Sequence, residues 1–451
     1  MPFPPDFAWG TATSSYQIEG AVDEDGRGRS IWATFCHTVG KVAYGDTGDI
    51  ACDHYHRREE DVDLIASYGL NAYRFSIAWP RIQPEGRGAV NQKGVDFYRR
   101  LCDRLLERGI RPSATLYHWD LPQALQDDGG GWQNRDIVER FAEYAVLMYE
   151  ALGDSVAGWI THNEPWVVAA VGHRMGAHAP GLYDAEAELR VAHHLLLSHG
   201  AAVEAYRASS LAAPIGITLS LSPTYPQHET DADRRAAALC DGYVNRWYLD
   251  PVFRGSYPAD LLELFGERFS MDWMADGDLE RVQQPIDFLG VNYYTRRVVR
   301  APVGGEPAEF AWVTSSEHKL DVPRSDILDW EMTPETFTDL LVRLKADYGS
   351  LPILITENGC SIDDVPAPDG EVHDPRRIDY LRTHLAAVEE AIARGVDVQG
   401  YFAWSLMDNF EWGYGYRPRF GITYVDFETQ RRIPKDSARW YADVVRRNAL
   451  P

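Results

Sequence analysis

The sequence predicts a single (β/α)8 barrel over residues 1–451. Three observations point to it: short β-branched or aromatic runs alternate with longer segments of helical periodicity, the alternation repeats eight times, and no compositional break or linker interrupts it. Parallel strands require helical crossovers, and closure into a barrel removes exposed edges. Barrels of this class often run long as one unit, so the length does not require further domains.

The first strand is read in "FAWGTA" (7–12) and the second in "AYRFSIAW" (72–79). In "GVDFYRRLCDRLLERG", Val95, Tyr98, Leu101, Leu105 and Leu106 fall on one helical face, and Gly109 closes the helix. Strand three, "RPSATLYHW" (111–119), follows at once. Strands four to six are "VAGWITHNEP" (156–165), "PIGITLSLS" (214–222) and "IDFLGVNYY" (286–294). The turn-rich stretch 295–330 then fits an active-site loop better than a linker. Strand seven is "LPILITENG" (351–359). A helix with Ile378, Leu381, Leu385, Val388 and Ile392 on one face ends at Gly395, and strand eight, "VQGYFAWSLMD" (398–408), closes the series.

Composition narrows the partners. The formal net charge is -24, from 68 acidic and 44 basic residues, which opposes binding to nucleic acid or an anionic membrane and points to neutral ligands. No stretch is apolar and long enough to span a bilayer. The first residues, "MPFPPDFAWG", lack a basic segment followed by an apolar run, so a cytoplasmic protein is expected. Cys36, Cys52, Cys102, Cys240 and Cys360 are odd in number and far apart, which predicts free thiols. The histidines of "DHYHRR" and "AHHLLLSH" lack helical zinc-site spacing, so neither metal nor cofactor is expected. A homo-oligomer is left open.

The reactive face of such a barrel lies at the C-terminal ends of its strands, and the unusual residues collect there. Strand one leads to Gln17, and strand two carries Arg74. Strand three ends at His118 and Trp119, strand four at Asn163 and Glu164, and strand six at Asn292 and Tyr294. Strand seven ends at Glu357, while strand eight carries Trp404 before the loop with Glu411 and Trp412. Strand five gives nothing obvious. Singly, each residue has a packing or ion-pair explanation, and each glutamate could be an ordinary strand-end acid. Together they form a polar cup floored by indoles, which suits a pyranose: its hydroxyls take paired donors and acceptors while its C–H face stacks on tryptophan. Two carboxyl groups in such a cup suggest glycosidic cleavage, one protonated for the leaving oxygen and one ionised against the oxocarbenium-like transition state.

The segments "FAWGTATSSYQIEG", "YRFSIAWPRI", "LYHWDLPQAL", "THNEPW", "VNYYT", "LPILITENG" and "YFAWSLMDNFEWGYGYRPRFGITYVD" resemble glycoside hydrolase family one, the β-glucosidase family, nearly end to end. The resemblance implies that Glu164 is the general acid/base and Glu357 the nucleophile. It also implies that Arg74 and Tyr294 keep Glu357 ionised. Gln17, His118, Asn163, Trp404, Glu411 and Trp412 would hold the non-reducing sugar, with Trp119 in the same cup, Asn292 and Phe420 in support, and Trp330 contacting the aglycone. The implied substrates are small β-glucosides and cello-oligosaccharides, with β-galactosides or β-fucosides allowed. The implied mechanism retains configuration, with carboxyl groups about 5 to 5.5 Å apart.

Rival readings are weaker. A 6-phospho-β-glycosidase would hold phosphate at positions occupied here by Glu411, Pro418 and Phe420, where a carboxylate repels it, although Arg417 and Arg419 lie near. A thioglucosidase would carry glutamine at 164. A non-catalytic sugar-binding relative would lack one glutamate, and a metal-dependent barrel hydrolase would be stopped by chelators. Two segments depart from the family pattern: "LQDDGGGWQNR" has an extra glycine and "LDWEMTPETF" matches loosely.

Overall fold

The computed structural model describes residues 2–304, 309–314, 317 and 321–451. All eight expected strands form and close into one parallel barrel. In chain order they are β1 (Ala8–Ala12), β2 (Ala72–Ser76), β3 (Arg111–Tyr117), β4 (Gly158–Asn163), β5 (Ile215–Ser220), β7 (Phe288–Tyr293), β10 (Ile353–Asn358) and β11 (Val398–Trp404). Each pairs with the next, and β11 returns to β1 with Ala8 opposite Gly400 and Ala12 opposite Trp404. The strands are buried almost throughout, as a sheet covered by helices on its outside requires.

The helices His54–Ser67, Gln92–Glu107, Ile137–Leu152, Ala185–Arg207, Trp247–Arg254, Pro334–Tyr348, Pro375–Ala393 and Asp436–Arg447 follow the successive strands. Gly109 and Gly395 both adopt positive φ just beyond their helices, +71° and +82°, the conformation glycine reaches without a Cβ clash. On Gln92–Glu107 the face of Val95, Tyr98, Leu101 and Leu105 is buried with Phe97 and Cys102. Leu106 corrects the sequence reading: it sits at the edge of that stripe, one position past Leu105, and is 46% exposed.

The strands are shorter than read from sequence, and the reason lies in the backbone. Trp119 and Glu164 have φ of +73° and +50°. A left-handed residue cannot extend a strand, so β3 stops at Tyr117 and β4 at Asn163. The long loop after β7 holds β8 (Arg297–Arg300) and β9 (Ala311–Trp312), which join β6 (Thr224–Pro226) in a small three-stranded sheet. Its residues 305–308, 315–316 and 318–320 lie outside the described residues. The extra glycine of the "DDGGGW" loop lies in a run, Gly129 to Gly131, whose φ values are +100°, +85° and +60°.

A buried ionic network fixes the loops that carry strands seven and eight into the cup. Arg377 bonds Asp364 and, at 2.9 Å, Asp374, and it also reaches the carbonyls of Cys360 and Phe420. Lys435 joins Asp364 at 2.6 Å to Asp408 at 2.9 Å. Removing one partner strands the buried carboxylates. Arg377→Met is therefore expected to lower stability by about 3 to 5 kcal/mol, read from the urea midpoint.

All five cysteines are free and buried. No helix among the described residues is long and apolar enough to cross a membrane.

Candidate active site

At the C-terminal end of the barrel lies a cavity of about 260 Å³, lined by residues that include His118, Trp119, Glu164, Tyr294, Trp330, Glu357, Trp404, Glu411, Trp412 and Phe420. Glu164 follows β4 and Glu357 lies in β10, so two separate strand ends bring the carboxyl groups into one space.

Glu357 is held ionised from two sides. Arg74 donates from Nη1 to Oε1 at 2.6 Å, and the Tyr294 hydroxyl donates to Oε2 at 2.7 Å. Arg74 is itself 1% exposed, fixed by Asn163 Oδ1 at 2.6 Å, Thr356 O at 3.2 Å and Thr115 Oγ1 at 3.2 Å. Burial raises the Glu357 carboxyl overall, and Arg74 and then Tyr294 oppose that rise. Among the described residues no cation contacts Glu164. Its Oε1 accepts from Asn292 Nδ2 at 2.8 Å, and burial, followed by repulsion from Glu357, pushes it up to about 8. Arg74 and Tyr294 therefore favour placing the negative charge on Glu357 and the proton on Glu164.

The remaining polar lining is arranged from behind. Asn163 and Asn292 are fully buried: Asn163 Oδ1 accepts from both Arg74 and Asn292, while Thr356 donates to Asn292 Oδ1 at 2.7 Å. Asn163 Nδ2 lies 3.2 Å from His118 Nε2. Since the amide nitrogen can only donate, that ring nitrogen accepts and the proton sits on Nδ1, which has no protein partner. Burial holds His118 far below the usual histidine range, so its ring is neutral where it lines the cavity. Gln17 is also fully buried; its amide nitrogen serves Asn409 and Phe410 O at 3.0 and 2.9 Å and reaches Glu411 at 3.4 Å. Burial, then the charges of Glu357 and Glu164, pushes Glu411 up to about 8.

Aromatic faces build the floor and mouth. His118 lies near-parallel to both Trp404 and Trp412, with interplanar angles of 17° and 18°. Trp330 packs on Tyr294 and Phe420 at 5.3 and 6.2 Å between centroids. Gly359 permits this closure, because a Cβ there would fall on the carbonyl oxygen of Trp404.

The sequence profile of glycosyl hydrolase family 1 matches residues 1–450. The chain belongs to that family. This family 1 hydrolase is 48% identical over 448 residues to β-glucosidase A of Acetivibrio thermocellus, with 99% of both chains covered. It is 46% identical to a bifunctional β-D-glucosidase/β-D-fucosidase of Bifidobacterium breve, covering 98% of this chain and 97% of the other. The solved β-glucosidase of Thermotoga maritima in complex with glucoimidazole superposes with a TM-score of 0.95 at 48% identity, covering both chains completely.

Sequence reasoning missed several lining residues of the family 1 hydrolase. Strand five does contribute: Ser220 lines the cavity, with Ser222 just beyond. Trp166, His178, Tyr414, Arg297 and Trp312 line it too. Trp166 and Tyr414 lay inside quoted motifs, whereas Arg297 and Trp312 come from the irregular loop. Of the arginines that favoured a phosphate substrate, Arg419 is held by Asp408 at 2.7 Å and lies over the Tyr424 ring, and Arg417 reaches Tyr44. Neither lines the cavity.

Proposed function

We propose that this family 1 hydrolase is a retaining β-glucosidase that removes terminal non-reducing β-D-glucosyl residues from small glucosides and cello-oligosaccharides. The observation that carries the reading is the unequal setting of two carboxyl groups in one cavity: Glu357 against Arg74 and Tyr294, Glu164 buried without a contacting cation. The activities of these relatives support the glucosyl preference and allow fucosides beside it.

In the first step Glu357 attacks the anomeric carbon as the glycosidic bond breaks, and Glu164 gives its proton to the departing oxygen. A covalent α-glycosyl ester on Glu357 results. Esterification removes the negative charge that opposed ionisation of Glu164, so Glu164, having given up its proton, stays a carboxylate and can accept one from water. That water attacks the same carbon, frees Glu357 and returns the β-anomer. The neutral His118 ring, Glu411, and the Trp404 and Trp412 faces hold the sugar, with Gln17, Asn163 and Asn292 orienting them from behind. Trp119 borders the same sugar site. Trp330 flanks the aglycone.

A panel of aryl β-glucosides, galactosides, fucosides and cellobiose, with product anomers followed by proton NMR, checks this. β-Glucose is expected as the first product. First release of α-glucose, or no turnover of any glycoside, would overturn it.

A further inference from the structure

The cavity contains a charge that bond cleavage does not use. Arg297, the first residue of β8, lines both the catalytic cavity and the groove that runs past Thr295, Trp330 and Glu331. Its guanidinium lies 4.9 Å from the centroid of Trp312 and 5.8 Å from that of Trp166. Among the described residues no carboxylate meets it. Its Nε is buried without an acceptor, and the titratable side chain that acts on it is the buried thiol of Cys240. Its neighbour shows the contrast: Arg296 is paired with Glu331 at 2.7 Å.

A guanidinium stays protonated under all ordinary conditions, and even half-buried, as Arg297 is, it gains from an anion that pairs with it. Nothing else in the cavity neutralises it. The charge of Glu357 is taken by Arg74, and burial leaves Glu164 and Glu411 uncharged at neutral pH. A chain with a net charge of -24 keeps anions away in general, so one unpaired cation at the mouth acts selectively. The flanking surfaces are flat indoles whose centroids are 6.4 Å apart.

Resting on the β-glucosidase reading, we propose that Arg297 selects β-glucosides whose aglycone is an aromatic ring bearing a carboxylate. The ring lies against Trp166 and Trp312, and the carboxylate takes the planar guanidinium fork.

The test compares kcat/KM for 4-carboxyphenyl β-D-glucoside and its methyl ester in wild type, Arg297→Leu and Arg297→Lys. Dividing the anionic-to-neutral ratio of wild type by that of each variant cancels the difference in leaving-group acidity. Arg297→Leu is expected to lower the ratio by about tenfold, mainly through KM, with Arg297→Lys keeping part of it and added salt shrinking the wild-type preference. Equal ratios in wild type and Arg297→Leu, or equal losses on both substrates, would overturn the proposal and leave a packing role. If Arg297→Leu does not fold, Arg297→Gln takes its place under the same criterion. A wild type inert on both glucosides would instead sink the activity on which the proposal rests.

Discussion

Glu357→Ala is expected to lower kcat by roughly four to six orders of magnitude, and added azide is expected to restore turnover with an α-glycosyl azide as product. The reasoning follows from the contacts. Arg74 and Tyr294 each direct a hydrogen bond to this carboxylate, and neither takes its place as nucleophile when it is removed. Truncation leaves a space on the α-face beside Arg74, and a small anion fills it. Azide lacks a route to hydrolysis, so the inverted adduct accumulates. NMR of the product reads the outcome. A β-azide, or residual hydrolysis within tenfold of wild type, would remove Glu357 from the nucleophilic role.

Glu164→Ala has the second largest effect, and its size depends on the substrate. A poor leaving group needs the proton, so cellobiose hydrolysis should fall about 10²- to 10⁴-fold. A dinitrophenyl glucoside leaves as a stable anion and its first step should change far less. The pH profile gives an independent reading. The first step requires protonated Glu164, whose carboxyl is pushed up to about 8 by burial and by Glu357. Wild-type kcat/KM should therefore fall as pH rises through about 8, and that descending limb should vanish in Glu164→Ala with the dinitrophenyl substrate. Equal losses across leaving groups, or an unchanged alkaline limb, would contradict the acid role.

The barrel was legible because each strand is buried on both faces and each helix carries one apolar stripe, so period and length carry the signal without tertiary knowledge. Glu164, Glu357, His118 and Trp404 were legible for a related reason: polar or indole side chains at the ends of buried strands have little use in a core. Ser220 was not, since serine at a strand end is ordinary, and Arg297 was hidden in a loop without periodicity. The proton position on His118 was also beyond reach, because it depends on Asn163 pointing its amide nitrogen across from another strand. Leu106 misled because an apolar residue at a stripe's edge satisfies the helical spacing while facing water.

The left-handed backbone at Trp119, Glu164 and Trp412 bears on how this molecule can be improved. Glycine reaches such conformations without a Cβ clash, so exchanging a left-handed residue for it relieves local strain. At these three Cα atoms the same exchange would delete an indole or the proton donor, so heat resistance and turnover compete at single positions. Tyr44, also left-handed but 77% exposed and outside the cavity lining, is where the two demands separate.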